Sequence, residues 1–98
     1  MKTLILFLLL SVQSVAADLY LRNDSGTSMR VKIRNDYHNL GINKTIKSKL
    51  NEVFKSEVQA IYQNRTVAST QVSPSSRDTK LRLYKKNGVY LLEIDKRL

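Results

Sequence analysis

The sequence predicts a small α+β domain, in which one amphipathic helix lies across one face of a four-stranded antiparallel sheet in the order β-β-α-β-β. Three observations predict it. Asn87-Gly88 separates two alternating apolar runs near the C-terminus. Leu19 and Leu21, then Met29, Val31 and Ile33, alternate with polar residues on either side of a turn-rich Asn23–Thr27. Between these regions, residues 42–64 hold no Gly or Pro and repeat apolar residues at steps of three and four. The alternative is an all-β sandwich, with the middle of the chain read as short strands, for example Gln59–Gln63 and Thr66–Val72.

The domain begins after a leader. Residues 1–17 carry Lys2, an apolar run from Leu4 to Leu10 and a more polar stretch ending in small residues. That is the pattern of a cleavable secretory signal. Val15 and Ala17 fit the cleavage rule, and a cut after Ala16 fits almost as well. The apolar run is shorter than the ~20 residues needed to span a bilayer. Residues 18–98 are then one small basic domain, exported to a periplasm or out of the cell, with no transmembrane segment once the leader is removed. The chain has 17 Lys and Arg against 8 Asp and Glu. Without Lys2 the balance is 16 − 8, or +8. There is no Cys, which excludes disulfides, thiolate nucleophiles and Cys-based metal sites. The absence of disulfides tilts the reading toward a bacterial protein.

Each element has its own reason. Leu19–Arg22 and Met29–Arg34 read as a first hairpin, with cations outward and apolar residues inward. Ile42, Ile46, Leu50, Val53, Phe54, Val58, Ile61 and Tyr62 form the helical stripe, with Asn43 as its N-cap and Gly41 setting its entry. Residues 73–78 read as a loop. Asn87-Gly88 predicts a type I′ hairpin. Its register sets Leu83 opposite Leu92 and Leu81 opposite Ile94 on one face, and Arg82 opposite Glu93 and Lys80 opposite Asp95 on the other.

In this arrangement one outer sheet face displays Tyr20, Arg22, Arg30, Lys32, Arg34, Lys80, Arg82 and Tyr84. Cations neutralise phosphates or sulfates, and flat rings stack on sugars or bases. The candidate ligand-binding residues are therefore Tyr20, Arg22, Arg30, Lys32, Arg34, Arg82 and Tyr84. The competing reading is an ordinary solvated face.

No phosphate loop, nucleophile elbow, zinc or calcium motif occurs, and no cofactor is expected. His38 is the only histidine, in a segment that reads as an exposed loop, and one His with few carboxylates makes a poor active site. Asn23, Asn43 and Asn64 each begin an Asn-x-Ser/Thr triplet, a glycan acceptor pattern that composition alone also produces here.

The functional expectation is an exported, non-enzymatic binding protein. It holds an anionic partner (a polyanion, glycan or lipid headgroup) on a basic sheet face. The alternative is a protein–protein adaptor, chaperone or inhibitor whose partner is another exported protein. Membrane-active and nuclease readings rank below both.

Overall fold

The computed structural model describes residues 17–51 and 53–98. These residues form eight strands and no helix. In chain order the strands are β1 (Asp18–Asp24), β2 (Met29–Ile33), β3 (Asp36–Leu40), β4 (Thr45–Lys49), β5 (Ser56–Tyr62), β6 (Arg65–Val72), β7 (Thr79–Lys86) and β8 (Val89–Arg97). They make two four-stranded sheets, ordered β4-β1-β7-β8 and β3-β2-β5-β6. Leu19, Leu21, Leu81, Leu83 and Leu92 of the first sheet share one core with Met29, Val31, Ile33, Leu40, Val58, Ala60 and Val72 of the second. The architecture is therefore the all-β sandwich, and the α+β expectation is corrected. The second apolar layer that the first sheet needs is another sheet rather than a helix.

The expected helix over 42–64 spans β4, a loop and β5, which sit in different sheets. Each strand has period two. Ile46 and Ser48 turn inward between exposed Thr45, Lys47 and Lys49. Ser56, Val58 and Ala60 are buried, while Glu57 is exposed and Gln59 half-buried. The three-and-four spacing arises because two strands with different faces are read as one. Asn43, at φ 60°, lies in the left-handed region, in the turn between β3 and β4 rather than at a helix N-cap. Gln63 and Asn64, at φ 52° and 62°, form the two-residue turn between β5 and β6. Both left-handed positions of this turn are filled without glycine, so the hairpin carries no Asn-Gly signal.

The expected N-terminal hairpin is also corrected. β1 is flanked by β4 (antiparallel) and β7 (parallel), and both its edges are taken. β2 pairs instead with β3 and β5 in the other sheet. The Asn23–Thr27 segment carries the chain across the sandwich. His38 lies in β3, opposite Val31, and not in an exposed loop. It is half-buried, and its Nε2 is buried without a hydrogen-bond partner among the described residues.

The C-terminal hairpin follows the expected register from Lys86–Val89 to Leu81–Ile94. Asn87 and Gly88, at φ 53° and 80°, supply the two left-handed residues of the turn. A register shift between Lys80 and Leu81 then sets Lys80 opposite Lys96, so the expected Lys80–Asp95 pair does not form. Residues 73–78 form no strand, as expected.

The expected leader lies outside the described residues except for Ala17. Ala17 is buried, and its carbonyl accepts a hydrogen bond from the Leu50 amide at 3.0 Å. Cleavage after Ala16 would keep this bond in the mature domain. No helix among the described residues is long and apolar enough to cross a membrane.

Asn23 fixes the crossover between sheets. Its side chain is fully buried. The amide Nδ2 donates to the carbonyls of Thr27 (2.8 Å) and Leu40 (3.1 Å). The carbonyl Oδ1 accepts from the Ser25 amide (3.0 Å) and hydroxyl (2.6 Å). Its backbone also bonds the β3–β4 turn, donating to Lys44 O and accepting from Asn43 N. A glycan on Asn23 would have to displace these bonds, whereas Asn43 and Asn64 stand in exposed turns. Replacing Asn23 with Ala removes the side-chain partners of the Leu40 carbonyl and the Ser25 amide, while the Thr27 carbonyl keeps the Ser25 hydroxyl; each buried group left unpaired costs about 1–3 kcal/mol. A domain of this size holds only a few kcal/mol in total. Asn23→Ala is expected to lose most of the cooperative transition in urea denaturation, while Asn39→Ala, at an exposed strand position, shifts it by less than about 0.5 kcal/mol.

Candidate functional site

The two sheets divide the expected basic face. On the outer face of the first sheet, the parallel β1–β7 register sets Tyr20 beside Lys80, Arg22 beside Arg82 and Asp24 beside Tyr84. Tyr20, Arg22, Arg82 and Tyr84 are thus brought together. Arg30 and Lys32 lie on β2, so they face outward from the other sheet. Arg34 lies in the β2–β3 turn at φ 57°, its amide bonded to Glu57 O. The seven candidate residues form two groups on opposite sides of the sandwich.

The first group is largely neutralised. Asp24 accepts from Arg22 Nε at 2.7 Å and from Arg82 Nε at 2.9 Å, one arginine on each carboxylate oxygen. The hydrogen bond from Arg82 is the main cause that holds the Asp24 carboxyl below the usual range; desolvation opposes it, and the bond from Arg22 with the charge of both arginines adds to the lowering. Nearby, Asp18 draws Lys47 (3.6 Å) and Lys49 (3.5 Å). The Arg82 guanidinium also stacks 4.7 Å from the centre of the Tyr84 ring. A hydrogen bond to Glu93 pushes the Tyr84 hydroxyl above the ordinary tyrosine range. This face holds an open concavity of about 580 Å³, lined by three cations (Arg22, Lys80, Arg82), three carboxylates (Asp24, Asp78, Asp95), Tyr20, Thr45, Leu81 and Leu98. Such a mixed surface offers donors and acceptors in equal supply and little net attraction for a polyanion.

The second group is smaller. Arg30 lies 4.6 Å and Lys32 5.7 Å from the centre of the Tyr37 ring, so both cations share one aromatic face. Tyr37 is half exposed. Its position opposite Lys32 across the β2–β3 ladder explains the contact.

Two features escape the sequence reading. Tyr37 falls in a segment read as loop, so its pairing with β2 is not anticipated. Val53 and Phe54, read as part of a buried stripe, are 72% and 70% exposed. Asn51 just before them is the available signal. Its Oδ1 accepts from both the Val53 and Phe54 amides at 2.8 Å, an Asx-type turn that the interior of a helix would not contain. Among the described residues no group of three His, Asp or Glu side chains is placed to hold a metal.

Asp24 therefore makes a pH-dependent contribution. Its folded pKa is depressed, so the stabilisation is present above the unfolded value of 3.8 and is lost as pH falls through the folded pKa. Both arginine side chains are about half exposed, which screens the pairs. Asp24→Asn is expected to cost about 1 kcal/mol at neutral pH in chemical denaturation. That difference from the parent chain should shrink toward zero as the pH is taken down through the acid range.

No protein-family model and no curated protein matches this chain. Among solved structures it is similar to one described as the NMR structure of a protein from Eubacterium rectale. The two share 16% sequence identity and a TM-score of 0.58, over 84% of this chain and 90% of that one. At that identity the likeness shows a shared fold alone.

Proposed function

We propose that this chain is an exported, non-enzymatic binding module that recognises another protein through the open side of its sandwich, chiefly the free edge of β3. The observation that carries the reading is the state of the sheet edges. β6 and β8 run close together along one side and shield each other. β4, an edge of the other side, is studded with exposed Lys47 and Lys49, the usual guard against strand pairing. β3, the remaining edge, has the sequence Asp-Tyr-His-Asn-Leu, with no Lys, Arg or Pro. A partner strand laid along it gains main-chain hydrogen bonds, with Tyr37 and its two cations beside it for side-chain recognition. The polyanion reading is less well supported, because the cations are split between two faces and, on the first sheet, Arg22 and Arg82 share Asp24 while Lys47 and Lys49 share Asp18.

The test is retention of envelope or secreted proteins of the producing cell on the immobilised domain. A strand-addition complex is expected to survive about 0.5 M NaCl, where screening removes most surface charge attraction. Tyr37→Lys with Asn39→Lys places guarding charges on the edge and is expected to abolish that retention, while unfolding stays cooperative at a melting temperature lowered by loss of the ring that Arg30 and Lys32 share. Loss of retention at high salt, with steep salt-dependent binding to heparin that Arg30→Glu and Lys32→Glu abolish, would replace this reading with the polyanion one.

A further inference from the structure

Val53 and Phe54 are the most exposed large apolar side chains among the described residues, and they are adjacent. A mobile loop could tuck them away, but the Asn51 carboxamide bonds both of their amides and holds the pair outward. Lys49 and Lys55 bracket the segment, both exposed, with Glu52 between them in sequence; Lys49 stands 3.5 Å from the Asp18 carboxylate, which leaves Lys55 as the flanking cation outside an ion pair among the described residues. The place of the tip in the fold adds a second observation. Leu50 N donates to Ala17 O, so the tip is joined by one hydrogen bond to the point where the N-terminal segment leaves the domain. That segment contains the apolar run Leu4–Leu10. The β2–β3 turn with Arg34 and the β6–β7 loop with Arg77 lie at this same end, tied to it through Glu57 O and through the bond from Asp18 N to Asp78.

We propose that this end of the sandwich is a membrane-docking tip, with Val53 and Phe54 entering the interfacial region of an anionic phospholipid bilayer and Lys55, with Arg34 and Arg77 of the same end, resting on its headgroups. Two apolar side chains are too few to hold a protein on a neutral bilayer. Headgroup attraction from the flanking cations supplies the second signal that reversible membrane binding requires. The site is separate from the β3 edge, which runs along the side of the sandwich.

The test uses Ala17–Leu98, which contains all eight strands and the whole described core and lacks the apolar run that would bind lipid by itself. Co-sedimentation is expected with vesicles rich in phosphatidylglycerol, and much less with pure phosphatidylcholine. The chain has no Trp, so Phe54→Trp gives a single reporter. Its emission is expected to shift to the blue on binding and to be quenched by acyl chains brominated near the headgroup. Val53→Ser with Phe54→Ser is expected to lower the partition coefficient at least about tenfold, and Lys55→Gln with Arg77→Gln to lower it by roughly tenfold or more. Thermal unfolding of these variants checks that they are folded, which the exposure of the substituted side chains favours. Absence of binding, or binding that ignores both double substitutions, overturns the proposal. So does a protein partner whose capture needs Val53 and Phe54. Tyr37→Lys with Asn39→Lys is expected to bind vesicles at least as tightly as the parent chain, so failure at the tip and failure at the β3 edge are told apart.

Discussion

The sandwich depends on how the chain leaves β1. A central strand with neighbours on both sides cannot be followed by a tight hairpin partner, so the polypeptide must climb from one sheet to the other within Ser25–Ser28. Asn23 makes this climb affordable in hydrogen-bond terms. Its one carboxamide serves Ser25, Thr27 and Leu40, and its backbone serves the β3–β4 turn. Every polar atom of that side chain is used in the interior, where unpaired groups are costly. The same corner continues to the Thr27 hydroxyl, 3.3 Å from the Tyr90 hydroxyl, and to the tilted Tyr62–Tyr90 ring pair at 6.2 Å. Residues from β5 and β8 are thereby linked across the two sheets.

Once the sheets are set, the distribution of charge follows. Outward positions on β1 and β7 fall side by side in parallel register, which places two arginines at one level and an aspartate within reach of both. Outward positions on β2 must point the opposite way. A composition of 17 cations against 8 anions therefore does not become a single basic surface. Among the described residues it divides into a face where cations share carboxylates, a small cation–aromatic cluster around Tyr37, lysines along the β4 edge and further cations spread over β6, β7, β8 and the loops. Net charge speaks to solubility and association, while the fold decides where that charge is usable.

The C-terminal hairpin was legible in the sequence because its signals agree. The Asn-Gly turn, the alternation and the cross-strand pairing of Leu83 with Leu92 all select one register, and only the bulge at Lys80–Leu81 departs from it. Residues 42–64 were not legible for a local reason. Two short strands of different sheets, joined by a loop carrying exposed Val53 and Phe54, leave apolar residues at spacings that imitate a helix. The turn that would have separated β5 from β6 uses Gln63 and Asn64 where glycine would have announced it. Strand neighbours across the sandwich are long-range facts that no local period encodes. Grouping Tyr20, Arg22, Arg82 and Tyr84 followed from alternation alone. Excluding Arg30, Lys32 and Arg34 required knowing that β2 belongs to the other sheet.

The parallel pairing of β1 with β7 has a consequence for how the chain comes together. Leu19 meets Thr79 and Leu21 meets Leu81, partners separated by sixty residues. Bringing such distant segments together requires closing a long loop before any contact rewards it, which makes high-contact-order folds slow to form. The first sheet also has no centre until β7 has been made, since β1 is its second strand and β7 its third. A ribosome must therefore release nearly the whole chain before this sheet can assemble. Until then the first strand has only the five-residue β4 to pair with, although the second sheet, made wholly of residues 29–72, can already close, so its apolar face waits for most of its cover until the last two strands arrive.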